Sequence, residues 1–361
     1  MGFFTGSSPC YCCGNKYWIR KYDPIASLPV IAQADITPVP AGSAGTYAYP
    51  SQLIARGSKV TSIWINGDDD RFSRYSSNLE HERNIDITHT ASRIGSKWWD
   101  TNGSNLVVIV NGGARYYDSS GTLVYTFTPT GTESLRTVAI DSVGNMYSTT
   151  VSETTFPPVT NRFLYKHSAT GVLQWKNATN SNAESFLVVA SDDYVWAYRP
   201  SISLAERRSA AGALNSATID LGGTSNTQAA YADGTSGIWV ADSAPASGGI
   251  RTRHVTSALV VDRGWWGPGA SGTLPSPNAP NLLAFDAMNA VYAKVTDVYF
   301  STGASETIQK LDTYGNAVWS KNRTQLPSYW GYGVNSFPLS NDVRAIAYAD
   351  GALYAGGMRT S

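Results

Sequence analysis

The residue types able to do chemistry are few in this chain, and their spacing restricts what they can do. Cys10, Cys12 and Cys13 stand within four residues of one another. That grouping is too tight for a four-ligand metal site, which needs two separated pairs, and adjacent cysteines bridge only with strain. A metal shared with another chain, an intermolecular disulfide or simple packing remain as their roles. Asp68, Asp69 and Asp70 offer oxygens to a hard cation, but the spaced ligand order of a calcium loop is missing, so the run reads as a solvated turn and only a weak metal candidate. His81, His89, His167 and His254 show no zinc spacing. There is no Gly-x-Ser-x-Gly elbow, no phosphate-cradling glycine loop and no pair of carboxylates that the sequence sets opposite one another. No metal and no cofactor is expected. Aromatic residues make the remaining cluster: Trp265 and Trp266 in RGWWGPG, then Tyr329, Trp330, Tyr332 and Phe337 in LPSYWGYGVNSFP. Flanked by Gly and Pro, they suit flat contact with a sugar ring or a protein partner, or else fold inward as a plug.

The elements that must position these residues follow from a repeated phrase. Ile308–Trp319, IQKLDTYGNAVW, reads as two short alternating strands joined by a tight polar turn. Variants stand at Ile19–Asp23, Phe72–Asn78, Ala114–Phe127, Phe163–Trp175, Leu204–Leu214 and Ile250–Val261. Their spacing is roughly 42 to 58 residues, the length of a four-stranded propeller blade. A second hairpin precedes most copies, as in VAIDSVGNMYSTT (Val138–Thr150) and LLAFDAMNAVYAK (Leu282–Lys294). Trp98 and Trp99 read as a strand start, and Trp175 and Trp319 as core by periodicity.

The first back half, at about residues 15–33, has no front half before it, and the last front half, at about 342–361, has no back half after it. Each supplies what the other lacks. The expected fold is therefore all-β: a seven-bladed β-propeller spanning 15–361, closed by N-terminal strands that complete the C-terminal blade, with residues 1–14 as an arm. Long connectors at 34–50, 79–97, 152–161, 263–280 and 324–341 all emerge on one face, while hairpin turns on the other stay short. In repeat proteins such a decorated face often binds.

Composition narrows the function classes. Net charge is zero, charged residues make up 15%, and the 33 Gly, 21 Tyr and 11 Trp suit strands and turns. No basic footprint for nucleic acid and no polybasic membrane patch exists. No signal peptide is expected at the N-terminus, and no stretch approaches the roughly 18 apolar residues of a spanning helix. The Met-Gly start is followed by Gly6 where a myristoylation signal needs Ser or Thr. Asn102, Asn177 and Asn322 head Asn-x-Ser/Thr triplets that matter only in a secreted protein.

The phrases LYKHSATGVLQW and IQKLDTYGNAVW resemble the repeat of PQQ-like, quinoprotein-type propellers, and VAIDSVGNMYSTT is similar to NHL-type repeats. The resemblance implies blades and not an activity. The vicinal cysteines that meet the quinone in those dehydrogenases have no counterpart inside the ring, since Cys12 and Cys13 stand in the arm. The polar, sparsely charged composition without an export signal is similar to structural proteins of bacteriophage particles. That resemblance implies a non-enzymatic virion component, assembled in the host cytoplasm. It would dock other subunits through its arm and loop face, or a host-surface glycan through the loop face. The alternative expectation is a carbohydrate-active or quinoprotein-like enzyme with a site in the central channel.

Overall fold

The computed structural model describes residues 16–23, 30–36, 49–66, 69–88, 98–155, 158–179, 186–199, 204–214, 219–220, 226–243, 250–266, 283–285, 291–296, 306–312, 317–322 and 341–359. Among them the secondary structure is all strand, arranged as seven four-stranded antiparallel sheets. Sheet I holds β3 (Tyr49–Arg56), β4 (Lys59–Asn66), β5 (Asp69–Ser76) and β6 (His81–Thr88). Sheet II holds β7 (Trp99–Thr101), β8 (Leu106–Val110), β9 (Gly113–Tyr117) and β10 (Leu123–Phe127). Sheet III holds β11 (Glu133–Ile140), β12 (Met146–Thr155), β13 (Pro158–His167) and β14 (Leu173–Ala178). Sheet IV holds β15 (Phe186–Val189), β16 (Val195–Arg199), β17 (Leu204–Arg208) and β18 (Ile219–Asp220). Sheet V holds β19 (Asn226–Ala232), β20 (Ile238–Ser243), β21 (Ile250–Val255) and β22 (Val261–Trp266). Sheet VI holds β23 (Leu283–Phe285), β24 (Val291–Thr296), β25 (Glu306–Leu311) and β26 (Ala317–Asn322).

Sheet VII joins the two ends of the chain. Its order is β2 (Val30–Ile36), β1 (Lys16–Tyr22), β28 (Ala352–Arg359), β27 (Asn341–Ala349). Lys16 lies opposite Arg359 and Tyr22 opposite Leu353, so the pairing is in register along the whole of β1.

Period-two alternation explains how the sheets stack. The run LVVIV of β8 is buried along its length, which fits a strand covered on both faces. Its even positions, Leu106, Val108 and Val110, pack with Ile63, Phe72 and Ile87 of sheet I, and its odd positions, Val107 and Ile109, pack with Val138, Ile140 and Met146 of sheet III. Each such aliphatic side chain, fully buried, contributes about 1.5–3 kcal/mol. Equivalent cores join III to IV, IV to V, VI to VII and VII to I. Six inter-sheet cores are thus present among the described residues, one short of the closed ring of seven expected from the sequence. First strands meet first strands from sheet to sheet (β27 with β3, β7 with β11, β15 with β19), so they form the inner layer. Fourth strands such as β10 and β14 are largely exposed.

The repeated phrase has a packing reason. The basic residue of its third strand sits opposite an aromatic of the second strand: Lys21 with Tyr354, Lys166 with Tyr147, Arg207 with Trp196 and His254 with Trp239. The Lys166 ammonium lies 5.3 Å from the Tyr147 ring centre and the Arg207 guanidinium 5.8 Å from that of Trp196, within cation–π reach. The aromatic of the fourth strand serves the next sheet. Tyr125 donates from its hydroxyl to Ser168 O at 3.2 Å, and Trp175 donates from Nε1 to Ala210 O at 3.0 Å. Both rings rest on a turn glycine of that neighbour, Gly171 and Gly212 respectively. Trp175 and Trp319 are therefore half-buried clamps on outer strands and not the core residues that periodicity suggested.

Candidate functional site

Several sequence candidates move once the strands are in place. Trp265 and Trp266 are not loop residues: they end β22, opposite Thr252 and Arg251. The aspartate run is not a solvated turn: Asp69 and Asp70 open β5, Asp70 is 1% exposed, and its neighbours across the ladder are Ile65 and Ile87. Alternation along a strand sends successive side chains to opposite faces, which works against joint chelation by that pair. No group of three metal-ligating residues occurs among the described residues. Tyr329, Trp330, Tyr332, Phe337, Asp68, His89 and the arm with Cys10, Cys12 and Cys13 lie outside the described residues. Trp99 does open a strand, as expected, and its Nε1 donates to Gln52 Oε1 of sheet I.

Sheet III brings together a group that the sequence did not announce. Glu133 begins the inner strand β11, at the end of the sheet where the ladder of β12 with β13 runs on to Thr155 opposite Pro158, so that the expected long connector at 152–161 is mostly strand. Its Oε2 accepts from Thr150 Oγ1 at 2.7 Å and from the Tyr165 hydroxyl at 2.6 Å, and its Oε1 accepts from Lys176 Nζ at 2.7 Å. One residue comes from each of the four strands, so the polar row crosses the sheet from inner to outer edge. Register makes this possible: Tyr165 sits opposite Ser148 and Lys176, and Thr150 opposite Leu135 and Phe163. Lys176 also stands 4.0 Å from the Phe163 ring centre and 5.0 Å from that of Tyr165.

The protonation states follow from these contacts. Burial by itself would raise the Glu133 carboxyl, but the donors from Lys176, Tyr165 and Thr150 overcome it and hold the group below its ordinary range. Burial opposes charge on Lys176, and its bonds to Glu133 and Tyr165 more than restore it, leaving the ammonium above its ordinary value. Tyr165 is raised, first by burial and then by donating to Glu133. The row thus presents a fixed carboxylate, a fixed ammonium and a phenol that keeps its proton at neutral pH. Below it, His167 is nearly parallel to Tyr165, at 9° and 6.0 Å, and lies 4.3 Å from Phe127. Its buried Nδ1 has no hydrogen-bond partner, and burial pushes its pKa down to about 4.

A second titratable group lies at the short-turn end of sheet V. His254 Nε2 is 2.8 Å from Asp233 Oδ2, and Nδ1 is 2.5 Å from Asp262 Oδ1. Asp233 also holds its own turn, accepting from Thr235 N and Oγ1 at 2.6 Å each. Burial would raise Asp233, yet the His254 and Thr235 donors bring it below its ordinary value. With both ring nitrogens and the turn saturated, this group fastens a hairpin and offers nothing to a substrate. Asp100 plays a comparable part on the inner layer: its carboxylate takes Ile140 N at 3.0 Å from sheet III and Arg56 Nη1 at 3.3 Å from sheet I. It ties three sheets together.

No family model and no curated protein matches this sequence. Solved structures do match. One is a catalytically inactive virginiamycin B lyase from Staphylococcus aureus with quinupristin, at TM-score 0.50 and 10% identity, covering 87% of this chain and 97% of that one. Another is the selenomethionine-substituted virginiamycin B lyase from the same organism, at TM-score 0.50 and 10% identity, covering 86% and 94%. A hydrazine synthase from Kuenenia stuttgartiensis aligns at TM-score 0.49 and 12% identity, covering 75% and 79%. The class that fold and comparison define is the all-β propeller. At such identities the likeness carries the fold alone. The expected non-enzymatic virion role is corrected by the same finding: the matches that reach TM-score 0.50 are structures of a lyase, and neither is a component of a virus particle.

Proposed function

We propose that this chain is a propeller enzyme that cleaves a polar substrate, carbohydrate first among the classes, by acid–base chemistry at the connector-bearing end. The seven sheets would be the blades of one ring. The observation that carries the reading is the Glu133–Tyr165–Lys176 row. A substrate entering the row would displace the Tyr165 proton from its bond to Glu133: the Glu133 carboxylate then takes the proton from the carbon beside the breaking bond, Tyr165 gives its own to the leaving oxygen, and Lys176 faces the negative charge that develops. Phe127 of sheet II packs against the Tyr165 ring, with ring centres 5.1 Å apart, where sheets II and III meet. Likeness of fold to a lyase supports an elimination as the reaction.

The test is turnover of uronate-containing oligosaccharides and of quinupristin, followed by chromatography with ultraviolet detection of a new double bond. General acid–base groups contribute roughly 10²–10⁴-fold. Tyr165→Phe should therefore lower the rate by at least about a hundredfold while leaving the fold intact. Turnover of none of these compounds, or full activity in Tyr165→Phe, would remove the proposal.

A further inference from the structure

One member of the row on sheet III is not secured by its ion pair alone. Lys176 lies on β14, the outer edge of the sheet, and its side chain keeps 35% of its surface exposed. A lysine this accessible gains little from a single carboxylate, and its flexible stem is free to turn into solvent. The hold also changes during the reaction. Once the Glu133 carboxylate has taken a proton it is neutral, and the 2.7 Å contact from Lys176 Nζ to Oε1 is no longer an ion pair. From that moment until Tyr165 delivers its own proton, no anion of the row holds the ammonium. That is when the charge on the substrate needs it in place.

Phe163 supplies a second hold. It stands two residues before Tyr165 on β13, so the two rings share one face of the sheet. Lys176 lies opposite Tyr165, while the small Ala178 lies opposite Phe163 and leaves room above its half-buried ring. Nζ accordingly stands 4.0 Å from the Phe163 ring centre and 5.0 Å from that of Tyr165, both within cation–π range. This attraction does not depend on the charge of Glu133, so it outlasts the step that dissolves the ion pair.

We propose that Phe163 is a positioning residue for the chemistry of this row: with Tyr165 it clasps the Lys176 ammonium while Glu133 carries the proton. The proposal rests on the acid–base reading given above, and its test separates the two. Competitive acylation with limiting N-hydroxysuccinimidyl acetate reads the clasp without substrate, because only the released, uncharged amine reacts. Modification of Lys176 is measured by peptide mass spectrometry and normalised to Lys59, which Glu82 of sheet I holds. Glu133→Gln reproduces the neutral carboxyl. Removing the ring as well, in Glu133→Gln/Phe163→Leu, should speed acylation of Lys176 about three- to thirtyfold over Glu133→Gln, while Phe163→Tyr stays at the wild-type rate. Equal rates in the double variant and in Glu133→Gln would overturn the clasp. Should the double variant fail to fold, Phe163→Met in place of Phe163→Leu is read in the same way. In turnover, Phe163→Leu should lower kcat by a similar factor at unchanged KM, and Phe163→Tyr should restore it. Unchanged kcat with a raised KM would refute positioning. Absence of turnover by wild type sinks the acid–base reading, whereas the acylation comparison still decides the clasp.

Discussion

Replacing Gly212 by alanine tests the clamp between successive sheets. Gly212 has φ +86°, and a Cβ there would lie 2.9 Å and 3.0 Å from Trp175 ring carbons and 2.6 Å from Asn177 Nδ2. The backbone conformation costs an alanine about 1–2 kcal/mol. Pushing the indole aside adds an overpacking cost of about 1–3 kcal/mol, and losing the 3.0 Å bond from Trp175 Nε1 to Ala210 O adds about 1 kcal/mol. The total is about 3–6 kcal/mol. Gly351 supplies the control, since its φ is +74° but nothing stands within 4 Å of its built Cβ. Gly351→Ala should cost the backbone component alone. Urea unfolding followed by tryptophan fluorescence and by circular dichroism measures both, with coincident transitions required before free energies are compared. If Gly212→Ala falls within about 0.5 kcal/mol of Gly351→Ala, the clamp contributes no packing and the reasoning fails.

Three further outcomes are expected. His167 is neutral in the fold down to about pH 4, whereas an unfolded histidine takes up its proton near 6.5. The unfolded state binds the extra proton, so stability falls as pH drops from about 6.5 to 4. The thermal midpoint of His167→Phe should lose that part of the acid slope, and an unchanged slope would refute the assignment. Asp100→Ala leaves Ile140 N and Thr101 N without their acceptor, at about 1–3 kcal/mol for each buried donor. Equilibrium unfolding should show a loss of about 2–6 kcal/mol, and a loss under 1 kcal/mol would mean that water takes the place of the carboxylate. Glu133 is held below its ordinary pKa, so its contribution is complete above about pH 4.5 and fades as pH falls below that. Glu133→Gln should flatten this acid limb, read from midpoints between pH 3 and 6.

The sequence displays the repeat well because blade geometry writes itself locally. Turn residues, the basic position and the glycine under the neighbouring ring fall within one hairpin phrase, and the aromatic opposite the basic residue falls in the hairpin phrase before it. The union of β1 with β28 was also legible, since two unpaired half-blades had only each other. What stayed hidden depends on register across the sheet. Glu133, Thr150, Tyr165 and Lys176 stand 17, 15 and 11 residues apart, and nothing in their spacing sets them in one row. The register shift between Leu135 and Thr137 is a one-residue offset inside LRTVAI, invisible without the partner strand. Trp265 and Trp266 looked like loop residues because Gly and Pro follow them, yet the ladder with β21 extends to Trp266. Asp70 looked solvated for its charge, whereas it is buried between Ile65 and Ile87 of the neighbouring strands.

Sheet VII has a consequence for the life of the chain on the ribosome. β1 and β2 are among the first described strands to be made, but their hydrogen-bonding partner β28 is among the last. Until it emerges, β1 presents an open ladder edge, the kind of surface on which nascent chains pair wrongly. Sheets I to VI can form in the order of synthesis, each with its own hairpins, while sheet VII waits for almost the whole chain. Sheet VII therefore closes in one late zippering event, and truncation upstream of β28 leaves β1 and β2 without that mate.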